Sequence, residues 1–102
     1  MGLDVAVQDE GGKQLHIVLD ERNLVSPLIG FPSFSVSPML ASVDRYGDTV
    51  FNRVQIRQFI VEWSELARNN SMEGEQKIAN EILALAELVR DSVHLYLVFI
   101  GD

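Results

Sequence analysis

The chain of 102 residues contains no cysteine, which excludes disulfide bonds, thiolate chemistry and cysteine-ligated zinc sites. It also lacks a run of about 18 apolar residues, the length that a membrane-spanning helix requires. The amino terminus has no basic segment and carries Asp4 within its first apolar run, so we expect no secretory signal. The expected location is the cytoplasm, without membrane binding, and stability must come from packing.

Basic residues are scarce as well. Eight Lys and Arg stand against 15 Asp and Glu, which gives a net charge of −7. Because so acidic a chain repels phosphate backbones, we do not expect it to bind nucleic acid. A basic protein partner would be attracted instead, with faster association at low salt. The alternative interpretation is that the acidity only keeps a small protein dispersed.

Length and composition predict one globular domain over residues 1–102. Hydrophobic residues make up 47% of the chain and charged residues 23%, which is too apolar for a disordered segment. Residues 2–20 predict a β-hairpin, because Leu3, Val5 and Val7 alternate and Gly11–Gly12 can adopt the positive φ of a tight turn.

Residues 21–42 predict a long irregular connection. Three prolines and five serines interrupt any helical or strand period, although "MLASV" could form a short strand. Connections of this length are often binding loops or pack as compact flaps. We expect Phe31 and Phe34 to fix this loop to the core, with an exposed binding patch as the alternative.

Two helices should follow. Asn52 with Gln55 has the spacing of a capping box at the start of a helix over 52–69, and Thr49 is a rival cap. The second helix should begin near Ser71 and end at about Asp91, after a short connection that makes the two helices antiparallel. Each helix has an apolar stripe at helical spacing: Ile56, Phe59, Ile60, Trp63, Leu66 and Ala67 in the first, and Ile78, Ile82, Leu85, Ala86 and Val89 in the second.

The segment "VHLYLVFIGD" is almost continuously apolar and predicts a strand that is covered on both faces or central in its sheet. The predicted class is therefore α+β, in the order β-β-loop-α-α-β. A small antiparallel sheet, made of the amino-terminal hairpin and the carboxy-terminal strand, is covered on one face by the helical hairpin.

No motif for catalysis, a cofactor or a metal is present. His16 and His94 fall in separate predicted strands without metal-ligand spacing, although neighbouring strands could bring them together. Phosphate-binding glycine loops and nucleophile elbows are absent, so we expect neither cofactor nor enzymatic activity. A small enzyme is the third interpretation, with a site built from Arg45, Tyr46, Asp48 and His94.

The segments "DRYGDTVFNRVQ" and "HLYLVFIGD", together with the length, the acidity and the α+β order, resemble small bacterial immunity proteins of polymorphic or contact-dependent toxin systems. The resemblance covers roughly the last 60 residues and implies a role without residue assignments. It implies an acidic inhibitor that covers the basic active site of a cognate toxin domain, often a nuclease.

On that hypothesis, outward acids and an aromatic residue would bind the partner. The candidates are Asp44, Tyr46 and Asp48 before the first helix, Glu62 and Glu65 on it, and Glu87 and Asp91 late in the second helix. Alternatively, Asp48 only favours the helix start and Tyr46 packs. Charge reversal at Glu62 and Glu65 is expected to weaken binding without unfolding the domain.

A homo-oligomeric structural or regulatory module is the second interpretation of the sequence. The segment Val93–Gly101 carries no Asp, Glu, Lys or Arg. If it lay at a sheet edge, it would invite pairing with a second copy.

Overall fold

The computed structural model describes residues 2–69 and 73–101 of the chain. These residues form an α+β domain with strands near both termini and helices between them, as predicted. The elements are β1 Asp4–Asp9, β2 Gln14–Val18, α1 Val25–Ile29, α2 Pro38–Ala41, β3 Asp48–Phe51, α3 Arg53–Arg68, α4 Glu73–Arg90 and β4 Leu95–Ile100.

The four strands form one antiparallel sheet in the order β2-β1-β4-β3. The prediction that the carboxy-terminal strand is central is confirmed, since β4 pairs with β1 on one side and with β3 on the other. β4 is therefore not an edge strand. Pairing of this strand with a second copy was expected only if it lay at an edge. The edges of the sheet are β2 and β3.

The amino-terminal hairpin is confirmed. Gly12 adopts φ 84°, and the turn is closed by hydrogen bonds from the Gly12 amide to the Asp9 carbonyl and from the Asp9 amide to the Lys13 carbonyl, both 3.0 Å. Val7 pairs with His16 whereas Gln8 pairs with Gln14, so β2 carries a bulge at the residue between them. Such a bulge increases the local twist of an edge strand.

One face of the sheet packs against α3 and α4 to form the core. Val5 and Val7 from β1 and Leu97 and Phe99 from β4 are fully buried there. Trp63 of α3 is also fully buried, and its Nε1 donates a hydrogen bond of 2.9 Å to the Ala79 carbonyl of α4. The predicted apolar stripes of the two helices therefore pack against each other and against the sheet.

The predicted capping box starts α3. Asn52 Oδ1 accepts hydrogen bonds from the amides of Val54 and Gln55, and Gln55 Oε1 accepts one from the Asn52 amide, all at 2.9 Å. Thr49, the rival cap, instead lies in β3, where its hydroxyl accepts a hydrogen bond of 2.8 Å from the amide of Asp44. The predicted cap of α4 at Ser71 lies outside the described residues.

The connection over 21–42 is more structured than predicted. It contains the short helices α1 and α2, and the strand proposed for "MLASV" is wrong because most of that segment belongs to α2. Pro38 occupies the first turn of α2, where its missing amide costs no hydrogen bond. The fourth strand, β3, was not predicted; its pairing with β4 from Asp48 to Phe51 makes it a strand.

Candidate functional site

The seven predicted partner-binding residues lie in three parts of the molecule. Asp44, Tyr46 and Asp48 are close together: the Asp44 carboxylate accepts a hydrogen bond of 2.9 Å from the Tyr46 amide, and Asp48 begins β3 directly after the turn. All three are exposed, Tyr46 to 84%. The turn therefore presents two carboxylates and an unpacked aromatic ring to solvent.

Late in α4, Glu87 is partly exposed and Asp91 follows one helical turn later. The Arg90 side chain donates two hydrogen bonds to the Asp91 carboxylate, at 2.8 and 3.0 Å. These hydrogen bonds lower the pKa of Asp91 and raise that of Arg90. A partner would meet this carboxylate already paired with a cation.

Glu62 was expected on the surface, but it is buried to 6% exposure. Its carboxylate accepts hydrogen bonds from the amides of Met39 and Leu40 at 3.3 and 3.0 Å and from Gln58 Nε2 at 2.9 Å. Since all three donors come from within the domain, Glu62 holds α2 against α3. Charge reversal there would break this contact, so the expectation that the domain tolerates it is not supported.

Three exposed apolar side chains belong to the segment 30–37, which we call the aromatic loop. Phe31 is 98% exposed, Phe34 69% and Val36 77%. The expectation that the two phenylalanines fix the loop to the core is therefore wrong. The loop is held instead by α1 before it, by α2 after it and by backbone contacts such as the hydrogen bond from the Ser37 amide to the Ser33 carbonyl, 2.7 Å.

Arg45 connects the aromatic loop to the turn that carries Asp44 and Tyr46. Its guanidinium donates a hydrogen bond to the Gly30 carbonyl and lies over the Phe31 ring, 5.2 Å from the ring centroid. A guanidinium at this distance from an aromatic face is attracted to it. The loop and the predicted acidic turn are thus parts of one surface.

A groove of about 340 Å³ separates the aromatic loop from α3. Glu65 lies at its rim with a side chain that is 62% exposed and forms an ion pair of 3.1 Å with Arg68. The groove thus combines an apolar lining with a carboxylate that solvent and a partner can reach. The apolar lining residues are Ile29, Pro32, Val36, Leu40, Val61 and Leu66.

The residues named for an enzyme do not come together. Asp48 pairs with Ile100 at one end of β4, and His94 precedes β4 at the other end, about 20 Å away along the sheet at roughly 3.3 Å per residue. The groove at His94 is lined by Asn52–Val54 and not by the turn of Tyr46 and Asp48. His94 Nδ1 contacts the carboxylate of Glu10, and both side chains are more than half exposed.

The two histidines do not meet either, because β1 lies between β2, which carries His16, and β4. Over residues 2–69 and 73–101, no cluster of three or more His, Asp or Glu side chains is placed to bind a metal ion.

Comparison of the chain with protein-family models, curated proteins and solved structures finds no match. In the parts of the chain that the structure describes, none of the helices has the length and apolarity needed to cross a membrane.

Proposed function

We propose that this protein is an acidic protein-binding inhibitor of the immunity-protein kind, which neutralises a cognate basic toxin domain by occluding it. The observation that carries the proposal is the exposure of Phe31 and Phe34 on a loop of a domain with a net charge of −7. The binding surface comprises the aromatic loop, the groove beside α3 and the turn of Asp44 and Tyr46.

Exposed aromatic side chains favour protein binding over a structural role for this loop. A large apolar ring in water is unfavourable by about 25 cal/mol for each Å² left exposed, and neither Phe31 nor Phe34 is buried in the core of the domain. Aromatic residues dominate the central contacts of protein interfaces, because they bury a large area for few rotatable bonds. Tyr46 would extend this apolar contact towards the turn.

The acids around the aromatic surface give it a preference for basic partners. Asp44 and Asp48 lie in and after the turn, and Glu65 lies at the rim of the groove. Carboxylates in such rim positions mainly accelerate association with a positively charged protein, whereas the apolar centre slows dissociation. A nuclease would supply a complementary surface, because its basic groups bind phosphate.

Site-specific photocrosslinking tests the surface. A benzophenone amino acid replaces Phe34, the protein is irradiated in native cell lysate, and crosslinked products are identified by mass spectrometry. The matched control carries the same group at Val93, which is 60% exposed in the segment between α4 and β4. We expect one basic protein to crosslink from position 34 and not from position 93.

Neutralisation is then tested directly. The captured protein is expressed in a bacterial host alone or together with this chain, and growth is measured. Growth arrest that the wild-type chain relieves would support the inhibitor role. A captured protein without toxicity, or toxicity that this chain does not relieve, would overturn it.

A further inference from the structure

The face of the sheet that points away from α3 and α4, which we call the outer face, is apolar across all four strands. Ala6 and Val98 alternate along β1 and β4 with residues of the core, so their side chains point to this face. In the register of the sheet, four apolar side chains form one row: Ile17 of β2, Ala6 of β1, Val98 of β4 and Val50 of β3. Ile17 and Val50, at the two ends of the row, are 38% and 52% exposed. The row therefore reaches solvent at both edges of the sheet.

The sequence of β4 is typical of a strand that is covered on both faces. Antiparallel strands with one face in water alternate apolar and polar residues. β4 has no such alternation, because Tyr96, Val98 and Ile100 on the outer face are as apolar as their neighbours on the core face. In the described parts of the chain, the helices that pack against the sheet, α3 and α4, lie on its core face. The composition of the outer face is thus explained by a cover that a partner supplies.

The charges on the outer face indicate which partner fits it. Asp4 of β1 and Asp48 of β3 both pair with Ile100, one from each side, and none of the four strands contains Lys or Arg. Asp48 is exposed, and Asp4 is partly exposed with one carboxylate oxygen bonded to the Asp20 amide at 2.8 Å. A basic partner is complementary to this face. A second copy of this chain is disfavoured, because its own outer face is acidic and each copy carries a net charge of −7.

The dimensions of the outer face suit an α-helix. Neighbouring strands lie about 4.8 Å apart, so the row from Ile17 to Val50 spans about 14 Å and the backbones of Asp4 and Asp48 are about 10 Å apart. A helix with its side chains is about 10–12 Å wide. A helix along β4 would therefore rest over Ala6 and Val98, with Asp4 and Asp48 on its two sides. The six residues of β4 extend over about 20 Å, the length of roughly 13 helical residues.

We infer that the outer face binds an amphipathic helix of a partner protein, with apolar side chains on one side of the helix and Lys or Arg on both flanks, opposite Asp4 and Asp48. The bound helix would form a third layer, on the face of the sheet opposite α3 and α4. Its apolar contacts would be Ile17, Val50, Val98 and Ile100, and not the aromatic loop. The inference consequently does not depend on the proposed inhibitor function.

A synthetic amphipathic peptide serves as the probe. It has about 18 residues of Leu, Ala and Lys, arranged so that a helix carries one apolar stripe with lysines on both flanks. Methyl NMR spectra of the full chain are recorded during titration with this peptide at low salt. The methyl signals of Ile17, Val50, Val98 and Ile100 should shift, and a peptide of the same composition in an order without an apolar stripe should leave them unchanged. Absence of these shifts, or equal shifts with both peptides, would overturn the inference.

Substitution of an apolar residue separates this face from the aromatic surface. Val50→Ser should weaken peptide binding about fivefold, because it removes an exposed apolar contact at the end of the row. Val61→Ser is the matched control, since Val61 is 63% exposed on α3 and lies in the groove beside the aromatic loop. Weakening by Val61→Ser with unchanged affinity of Val50→Ser would place the peptide in that groove. This outcome would overturn the present inference and leave the proposed inhibitor function standing.

A charge substitution tests the complementarity with a basic helix. Asp48→Asn should weaken peptide binding about threefold at low salt and have little effect at high salt, where exposed charges are screened. Glu81→Gln is the control, because it removes the same charge from an exposed position on α4, in the other layer. Equal weakening by both variants would show attraction to the net charge of the chain alone and would overturn the assignment of the basic flanks to the outer face.

Discussion

The carboxylate of Glu62 in α3 accepts a hydrogen bond of 3.0 Å from the backbone amide of Leu40 in α2. Ser37, at the N-cap position of α2, forms no side-chain capping bond. Glu62 therefore acts as the cap from another helix, and its negative charge is favourable beside the free amides of a helix start. This contact fixes the wall of the groove that separates the aromatic loop from α3.

Replacement of Glu62 should destabilise the domain. Glu62→Ala leaves the amides of Met39 and Leu40 and the side-chain amide of Gln58 without their acceptor, at a cost of about 2–3 kcal/mol. Glu65→Ala is the control, since its exposed ion pair with Arg68 contributes at most about 0.5 kcal/mol. Urea unfolding of both variants measures the difference, and equal midpoints would contradict the capping role.

Asp20 likewise accepts backbone hydrogen bonds, and it links the hairpin to the start of α1. Its carboxylate is buried and accepts hydrogen bonds from the amides of Leu3, Leu24 and Val25 at 3.2, 2.7 and 3.0 Å. Asp20→Ala should cost about 3 kcal/mol in the free energy of unfolding, because two buried donors and one partly buried donor lose a charged acceptor. Asp48→Ala, at an exposed position, should change it by less than about 0.5 kcal/mol, and a similar loss in both variants would refute this assignment.

The elements that sequence predicted best are those with strong local signals. Asn52 and Gln55 supply a cap that needs no distant contact, and the stripe through Phe59 and Trp63 repeats at helical spacing over about three turns. The terminal strand was recognisable because β4 is central and apolar on both faces. Each of these signals lies within one element, so the sequence alone reveals it.

Features that depend on distant partners were missed. β3 is too short for a visible alternation and becomes a strand through β4, and α2 depends on the carboxylate of Glu62. One signal for Glu62 was present: it lies three residues after Phe59 and four before Leu66, which places it towards the buried side of α3. No comparable signal gives the direction of Phe31 and Phe34, because residues 30–37 have no regular period.

Glycine is needed at position 101 because the backbone of Arg45 and Gly47 lies close to it. A Cβ at this position would lie 2.5 Å from the Arg45 carbonyl oxygen and 2.9 Å from that of Gly47, which accepts the Gly101 amide hydrogen bond. Gly101→Ala should therefore lower stability by about 1–3 kcal/mol. In Gly11→Ala the nearest atom would be 3.5 Å away, so thermal unfolding should show a much smaller shift. Equal shifts would exclude this steric explanation.

The Arg90 hydrogen bonds should be visible in the titration of Asp91. They lower the pKa of the Asp91 carboxyl, so their contribution to stability is present above the ordinary pKa of about 3.9 and is lost as the pH falls through the lowered value. Carboxyl chemical shifts measured by NMR should give a higher pKa in Arg90→Gln than in the wild type. An unchanged pKa would show that Arg90 does not perturb the group in solution.

A substitution in the aromatic loop should weaken partner binding without changing the stability of the domain. Phe34→Ser removes a side chain that is 69% exposed, so the free energy of unfolding should change by less than about 0.5 kcal/mol. Phe51→Ser, in the core beside Phe59 and Phe99, should cost more than about 3 kcal/mol. Calorimetric titration of the partner identified by crosslinking should show about tenfold or greater weakening for Phe34→Ser, the loss typical of a central aromatic contact. Unchanged affinity in this folded variant would place the binding surface elsewhere.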